Sequence, residues 1–341
     1  MNYKNTVIWQ ACRRLYIIIV ETYIKCSQRR WKEKKKRYGN LYPDKCFYVI
    51  RLRETPSSIG ANMPWVLKQL IYANENKMIP VVDFSFFKNV YLKRKEIGKI
   101  NPWMYFFEQP SHYGLDAVYH AKNVILSNAN NALTVDEWDK IILDDEALIQ
   151  KYNDIAYKYI HVNSRLEKKA KIIFDKLFGN TEKKPRVLAV TYRGTDYRNR
   201  KVVGEHKQPS LEQELIDAER FLKEWNCDFV YISTEDGSAV EAFEKRFGDK
   251  VRYMERKRYS SDAVSTAFSQ LYEDDNNEYQ KGEDYLIDMC LCAKCDCLLS
   301  GRFGMLGFVL PFNNGRYEHK HIYNLGKYTE ADYDYSFPTN S

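Results

Sequence analysis

Short apolar runs at Cys46–Leu52, Ile79–Asp83 and Val124–Leu126 read as strands. Between the first two, Trp65, Leu67, Leu70, Ile71 and Ala73 recur at helical spacing, which predicts a helix from Pro64 to Asn76. Helical spacing returns as one long stretch from Asp136 to Phe178, which Gly179 and Asn180 are suited to stop. After a hinge over Thr181–Pro185 the pattern alternates. Strands are expected at Val187–Tyr192, Phe229–Ser233, Val251–Met254 and Cys295–Leu299. Helices are expected at Leu211–Glu224, Ser238–Phe247 and Glu283–Lys294, with another entered through Ser300–Gly304. Such alternation predicts an α/β protein whose C-terminal part is a parallel, doubly wound sheet.

Four segments follow from this pattern: a basic helical arm (1–38), an N-terminal α/β unit (39–180), a Rossmann-like C-terminal unit (181–315), and a return segment with a tail (316–341). At 341 residues the chain has room for two cores, and a mean hydropathy of −0.58 with 29% charged residues describes a water-soluble surface. The net charge of +7 is uneven, since residues 29–37 hold seven cations against one anion. Together with the apolar run Leu15–Val20, too short for a span of about 20 residues, this arm predicts either an amphipathic helix on an anionic membrane surface or a helix packed on the body. Nucleic-acid binding would rest on that basic run and the aromatic content alone, and is not expected. Eight cysteines, four of them between Cys290 and Cys297 in one apolar run, point to buried thiols in a reducing cytoplasm rather than to disulfides or a zinc knuckle. The aromatic stretch Asn101–Pro110 reads either as a wall of an acceptor cleft or as a plug in the core.

Candidate chemistry sits at strand ends. The run from Val187 stops at Arg193, Gly194, Thr195 and Asp196; the next strand stops at Thr234–Asp236; a third stops at Ser300, Arg302, Phe303 and Gly304. In an open α/β sheet, ligands bind beyond the carboxyl ends of the strands. A guanidinium there can fork onto phosphate oxygens, with Asp196 directing it; an Arg–Asp pair that merely caps a loop is the competing reading. Together the three ends describe a nucleotide pocket: phosphates on Arg193 and the Ser300–Gly304 helix start, and base or ribose near acidic and hydroxyl groups. The turn Ser58–Asn62, with Gly60, adds a helix entrance that can meet an anion. The Asp-x-Asp pattern common to metal-using transferases occurs only at Asp332 and Asp334, in the tail, so no metal site is expected.

In order, Arg193–Tyr197, Ile232–Asp236 and Leu286–Gly304 resemble the three blocks of GDP-fucose-dependent fucosyltransferases, the α-1,6 and nodulation-type enzymes and their O-fucosyltransferase relatives. The resemblance spans roughly residues 46–83 and 186–310. It implies two facing Rossmann-like domains (a GT-B fold), GDP-fucose as donor without metal or other cofactor, and inverting transfer to a glycan acceptor. It also implies that Arg193 binds the diphosphate, that Asp288 serves the guanine site, that Gly60 and its neighbours Ser58 and Asn62 approach the phosphates, and that Phe303 and Gly304 lie at phosphate-contacting positions. Thr191 and Gly194 depart from the family's histidine and second arginine. Glu205, in a Val-Gly-Glu segment like the family's, is the expected base, with His206 beside it as the alternative. The acceptor expected is a polysaccharide intermediate, free or lipid-linked, met in the lipid-linked case at the inner face of the membrane by a peripheral cytoplasmic enzyme. Another nucleotide sugar on the same fold, or a binding protein without turnover, remains the alternative.

Overall fold

The computed structural model describes residues 32–52, 58–85, 90–128, 145–179, 184–195, 201, 203–260, 278–313 and 315–332. Most of the basic arm, Asp196, most of the polar stretch before residue 278, part of the hinge and the end of the tail lie outside the described residues.

The first unit runs β1 (Lys34–Lys36), β2 (Leu41–Ile50), α1 (Ile59–Glu75), β3 (Ile79–Val82), α2 (Trp103–Phe106), α3 (Leu115–Val118), β4 (Ala121–Leu126), α4 (Glu146–Tyr159) and α5 (Ser164–Phe178). Its sheet has the order β1-β4-β2-β3, with β2 parallel to both β3 and β4. β1 runs antiparallel along the edge, so Lys34–Lys36 of the expected helical arm form a strand. Three exposed lysines on an edge strand discourage any further pairing.

α1 starts at Ile59, five residues before Pro64, where the sequence predicts its start. Proline is favoured in a first turn, but here it stands inside the helix and has no N–H to give the carbonyl of Gly60. The predicted stretch Asp136–Phe178 is two helices among the described residues. They part at Ile160–Asn163, where Val162 bridges Phe107 and the Asn163 side chain accepts from the Arg165 amide at 3.0 Å, capping α5.

The second unit runs β5 (Val187–Thr191), α6 (Leu211–Glu224), β6 (Phe229–Ser233), α7 (Gly237–Phe247), β7 (Val251–Arg252), α8 (Glu278–Lys294), β8 (Cys297–Ser300), α9 (Leu306–Asn313) and β9 (His319–Ile322). Its five strands are all parallel, in the order β7-β6-β5-β8-β9. The expected return segment therefore supplies a strand, β9. The chain winds outward from β5 through β6 to β7, then crosses back to β8 on the other side. The sheet thus has a topological switch point between β5 and β8, where a crevice opens beyond the carboxyl ends.

Period-two alternation divides β5 between two cores. Val187 and Ala189 face one that also holds Tyr48 and Ile50 of the first sheet, Met63 and Leu67 of α1, Leu286 of α8 and Phe308 of α9; Leu188 and Val190 face a second core against α6. The two units hence share one hydrophobic core, with α9 packed on α1 and α4. At that seam Gly307 lies so close to α1 that a Cβ on it would sit 2.5 Å from Pro64 Cγ and 2.8 Å from the Gly60 carbonyl. Gly307→Ala is expected to cost about 1–3 kcal/mol in denaturant unfolding through overpacking. Gly114→Ala, whose Cβ would meet nothing within 4 Å, should stay within about 0.5 kcal/mol.

Candidate functional site

β5, β6 and β8 end at one level, because Thr191 is in register with Ser233 on one side and Ser300 on the other. Thr191 Oγ1 donates to Ser300 Oγ at 2.5 Å and Ser300 Oγ donates to the Gly301 carbonyl at 2.7 Å, with both residues fully buried. Ser300, expected to contact phosphate, is bonded into the floor of the crevice.

Above this floor stands Arg193. Its Nη1 lies 2.8 Å from Glu235 Oε1, which also accepts from Thr195 Oγ1 at 2.7 Å. Arg193 and Glu235 each lie two residues beyond strand ends that are in register, and this brings opposite charges to one face. The acid fixing the guanidinium is therefore Glu235, which the sequence reading passed over between Thr234 and Asp236; Asp196, assigned that role, lies outside the described residues. The signal was available as an Arg and a Glu at equal offsets from two neighbouring parallel strands.

The flanking pair do structural work. Thr234 Oγ1 accepts from the Asp236 amide at 3.1 Å, and Asp236 caps α7 by accepting from the Ser238 amide at 2.9 Å and from its hydroxyl at 2.6 Å. A Cβ on Gly194 would lie 2.4 Å from Asp236 Oδ2, so this contact accounts for glycine where the related pattern has arginine.

Asp288 is also engaged. Tyr231 donates to its Oδ1 at 2.6 Å; Ser233 Oγ and Arg256 Nη2 reach its Oδ2 at 2.8 and 2.9 Å. With three donors and 2% exposure, it ties α8 to β6. Arg256, a residue sequence reasoning missed, also donates to the Thr234 carbonyl at 2.9 Å and so braces the Glu235 loop from behind.

The first unit reaches the site through Ser58. The Tyr285 phenol is hydrogen-bonded to Ser58 and lies in the field of Arg193 and Glu235; burial pushes its pKa up to about 12, against the Ser58 hydrogen bond and the Arg193 charge. Tyr285, also missed, joins the start of α1 to the strand-end cluster. Gly60 is packed against the Gly304 carbonyl and the Tyr285 hydroxyl, so Gly60 and Gly304 let two backbones meet. Asn62, on α1, lines a small apolar cavity. Phe303 is buried in the shared core. The structure thus brings together Ser58, Gly60, Arg193, Thr195, Glu235 and Tyr285.

The Glu205 segment is clasped by the end of the chain. Gly204 N donates to the Tyr328 carbonyl, Tyr328 N to the Glu205 carbonyl and Lys207 N to the Gly326 carbonyl, each at 2.9 Å. Gln208 Nε2 donates to the Arg302 carbonyl at 2.8 Å, which moors the segment to the loop after β8. Glu205 is half-buried there; His206 and the Arg302 side chain are buried. Asp332 accepts from Lys207 and Thr329, while Asp334 lies outside the described residues. Cys292, Cys295 and Cys297 are buried free thiols. Trp103, Phe106 and Phe107 of the aromatic stretch are buried in the shared core.

Replacing Asp288 by Asn would leave Arg256 buried without its counter-charge. The expected loss is about 3–5 kcal/mol in denaturant unfolding. A loss under about 1 kcal/mol, the range of exposed pairs, would return Asp288 to the pool of ligand-binding groups.

No family model matches the chain, and no curated protein matches it. Among solved structures it is similar to NodZ α-1,6-fucosyltransferase soaked with GDP-fucose (14% identity over 79% of this chain and 92% of that one, TM-score 0.47). It is also similar to POFUT1 in complex with GDP-fucose (8% identity, 82% and 98% covered, TM-score 0.45). A third is a mutant of Arabidopsis thaliana FUT1 in complex with GDP (11% identity, 91% and 76% covered, TM-score 0.45).

Proposed function

We propose that this chain is a fucosyltransferase-like glycosyltransferase that takes its sugar from a nucleoside diphosphate, with GDP-fucose as the donor. The observation that carries the reading is Arg193, held by Glu235 at the switch point of a parallel sheet and linked through Tyr285 to the helix start at Ser58. A diphosphate leaving group needs fixed positive charge and donors aimed at it. A guanidinium already held by a carboxylate supplies that charge without reorganising when the ligand arrives.

In this reading Arg193, with Ser58 and Thr195 nearby, receives the diphosphate, and no metal is called on. Glu205 takes the proton from the attacking acceptor hydroxyl, and the sugar inverts at its anomeric carbon. The acceptor is a glycan approaching from the first unit, lipid-linked if the basic arm holds the enzyme at the inner face of the membrane. Among the described residues no helix is long and apolar enough to cross a membrane.

One observation favours a second donor. Because Asp288 is saturated by Tyr231, Ser233 and Arg256, base selection would fall to other groups, and a different nucleotide sugar would fit the same diphosphate site.

Melting curves with GDP, UDP, CMP and free phosphate test the donor site. A ligand at 100 times its Kd stabilises by about 2.7 kcal/mol. The expected result is a GDP-selective shift, absent in Arg193→Ala and weakened in Arg193→Lys, which keeps the charge opposite Glu235 but loses the fork. A UDP preference would establish the second reading, and no shift with any nucleotide would sink both. Glu205→Gln should keep the GDP shift and lower transfer by about 10²- to 10⁴-fold; undiminished transfer would remove Glu205 from the base role.

A further inference from the structure

α6 opens directly after the segment that carries Glu205. Gln208 Nε2 moors that segment to the Arg302 carbonyl, and Ser210 caps the helix by accepting from the Gln213 amide at 3.1 Å. Whatever seats the first turn of α6 on the sheet therefore also holds the end of this segment in place.

That turn carries an acid facing inward. Glu214 is fully buried, and among the described residues neither of its carboxyl oxygens has a hydrogen-bond partner. The donors of the neighbourhood converge instead on Asp217, three residues on. Tyr323 Oη and Gln213 Nε2 donate to its Oδ2 and Arg220 Nη2 donates to its Oδ1, each at 2.7 Å. The ionisable groups around this part of α6 are Asp217 and Arg220 on the helix itself, with Tyr323 and His321 from β9 and its end. The sheet and α7 bring Val190, Leu299 and Phe243 to the same core. The ion pair that α7 makes with α6, Arg246 to Glu219 at 2.6 Å, stands farther along the helix.

An ionised Glu214 would be a bare charge in apolar surroundings, beside a carboxylate already paired with Arg220. The dipole at a helix start favours a carboxylate. Desolvating an unpaired charge costs far more, and a group so placed keeps its proton. Burial first, and the Asp217 charge second, hold the Glu214 carboxyl well above the ordinary carboxylate range.

We propose that Glu214 is a proton latch: uncharged, it lets the first turn of α6 seat on the sheet, and loss of its proton releases that turn and the Glu205–Gln208 segment ahead of it. With α6 open, Glu214 meets water and ionises above its ordinary pKa of about 4.3. With α6 closed, it keeps the proton to higher pH. Opening therefore sheds a proton, and rising pH favours it from about pH 4.3 up to the pKa of the closed state. The latch is closed in acid and loosens toward alkaline pH, whatever chemistry Glu205 performs.

Amide hydrogen exchange of the full chain tests this, read by mass spectrometry on a peptide from α6 and, as reference, one from α5. Comparing wild type with Glu214→Gln at the same pH, where reclosing outruns chemical exchange, cancels the pH dependence of the chemical step. Between about pH 6 and pH 8 the wild-type α6 peptide should gain about tenfold in exchange rate over the variant for each pH unit, levelling where the closed state loses its proton. The α5 peptide should keep a constant ratio. Glu214→Met, apolar and of similar size, gives the same comparison in case the glutamine variant does not fold. The α6-to-α5 ratio in the wild type alone should climb in the same way, so the measurement stands even without a folded variant. A ratio for α6 that stays constant across this range overturns the proposal. An equal change in α5 also overturns it, because proton loss would then loosen the whole fold rather than one helix.

Discussion

Thr191 pairs in register with Ser233 and with Ser300, so three parallel strands stop at the same height and the chain leaves each of them facing the same crevice. The remaining geometry of the site follows from this alignment. Two residues past the stop on β5 comes Arg193, two past the stop on β6 comes Glu235, and their ion pair forms because the strands deliver both to one face. Thr195 then reaches the same carboxylate oxygen. Had β6 paired one residue out of register, Glu235 would turn to the opposite face, leaving a guanidinium at the crevice without its anchor. The buried Thr191–Ser300 hydrogen bond holds the third strand at this level.

The site lies at a seam because the two sheets do not bury separate cores. α1 and α4 of the first unit pack against α8 and α9 of the second, and the glycines at 60, 304 and 307 let backbone meet backbone there. This contact brings Ser58 to Tyr285, a residue whose helix also carries Asp288, the anchor for Arg256. Freedom of the two units to open is limited accordingly, since separation would expose Leu67, Leu286 and Phe308, each fully buried in the shared core. Burial on that scale favours a crevice that is formed before the ligand arrives.

Much of this was legible in the chain as written. Continuous apolar runs at Val187, Phe229 and Cys297 were found as strands because both faces of a parallel sheet are covered, and the amphipathic helices between them showed their period. Arg193 stood out because a charge ended an apolar run. Contacts between distant segments were hidden. Nothing local marks Asp288 as the partner of Tyr231 and Arg256, since its neighbours in sequence are those of any buried helix. Pro64 misled because the rule placing proline in a first turn is local, while α1 extends back to Ile59 through its packing on the Gly304–Gly307 segment. Glu235 was passed over because the loop was read residue by residue, without the register that pairs it with Arg193.

The charges around the crevice are buried together with their counter-ions. Near the strand ends Arg193 pairs with Glu235 and Arg256 with Asp288. Isolated, any of these charges would carry a heavy desolvation cost. Arg258 shows the strain: burial, and then the neighbouring Arg256 charge, pull its pKa below the ordinary arginine value, with Asp288 opposing them. Paired with carboxylates, these guanidiniums are tolerable in a buried crevice.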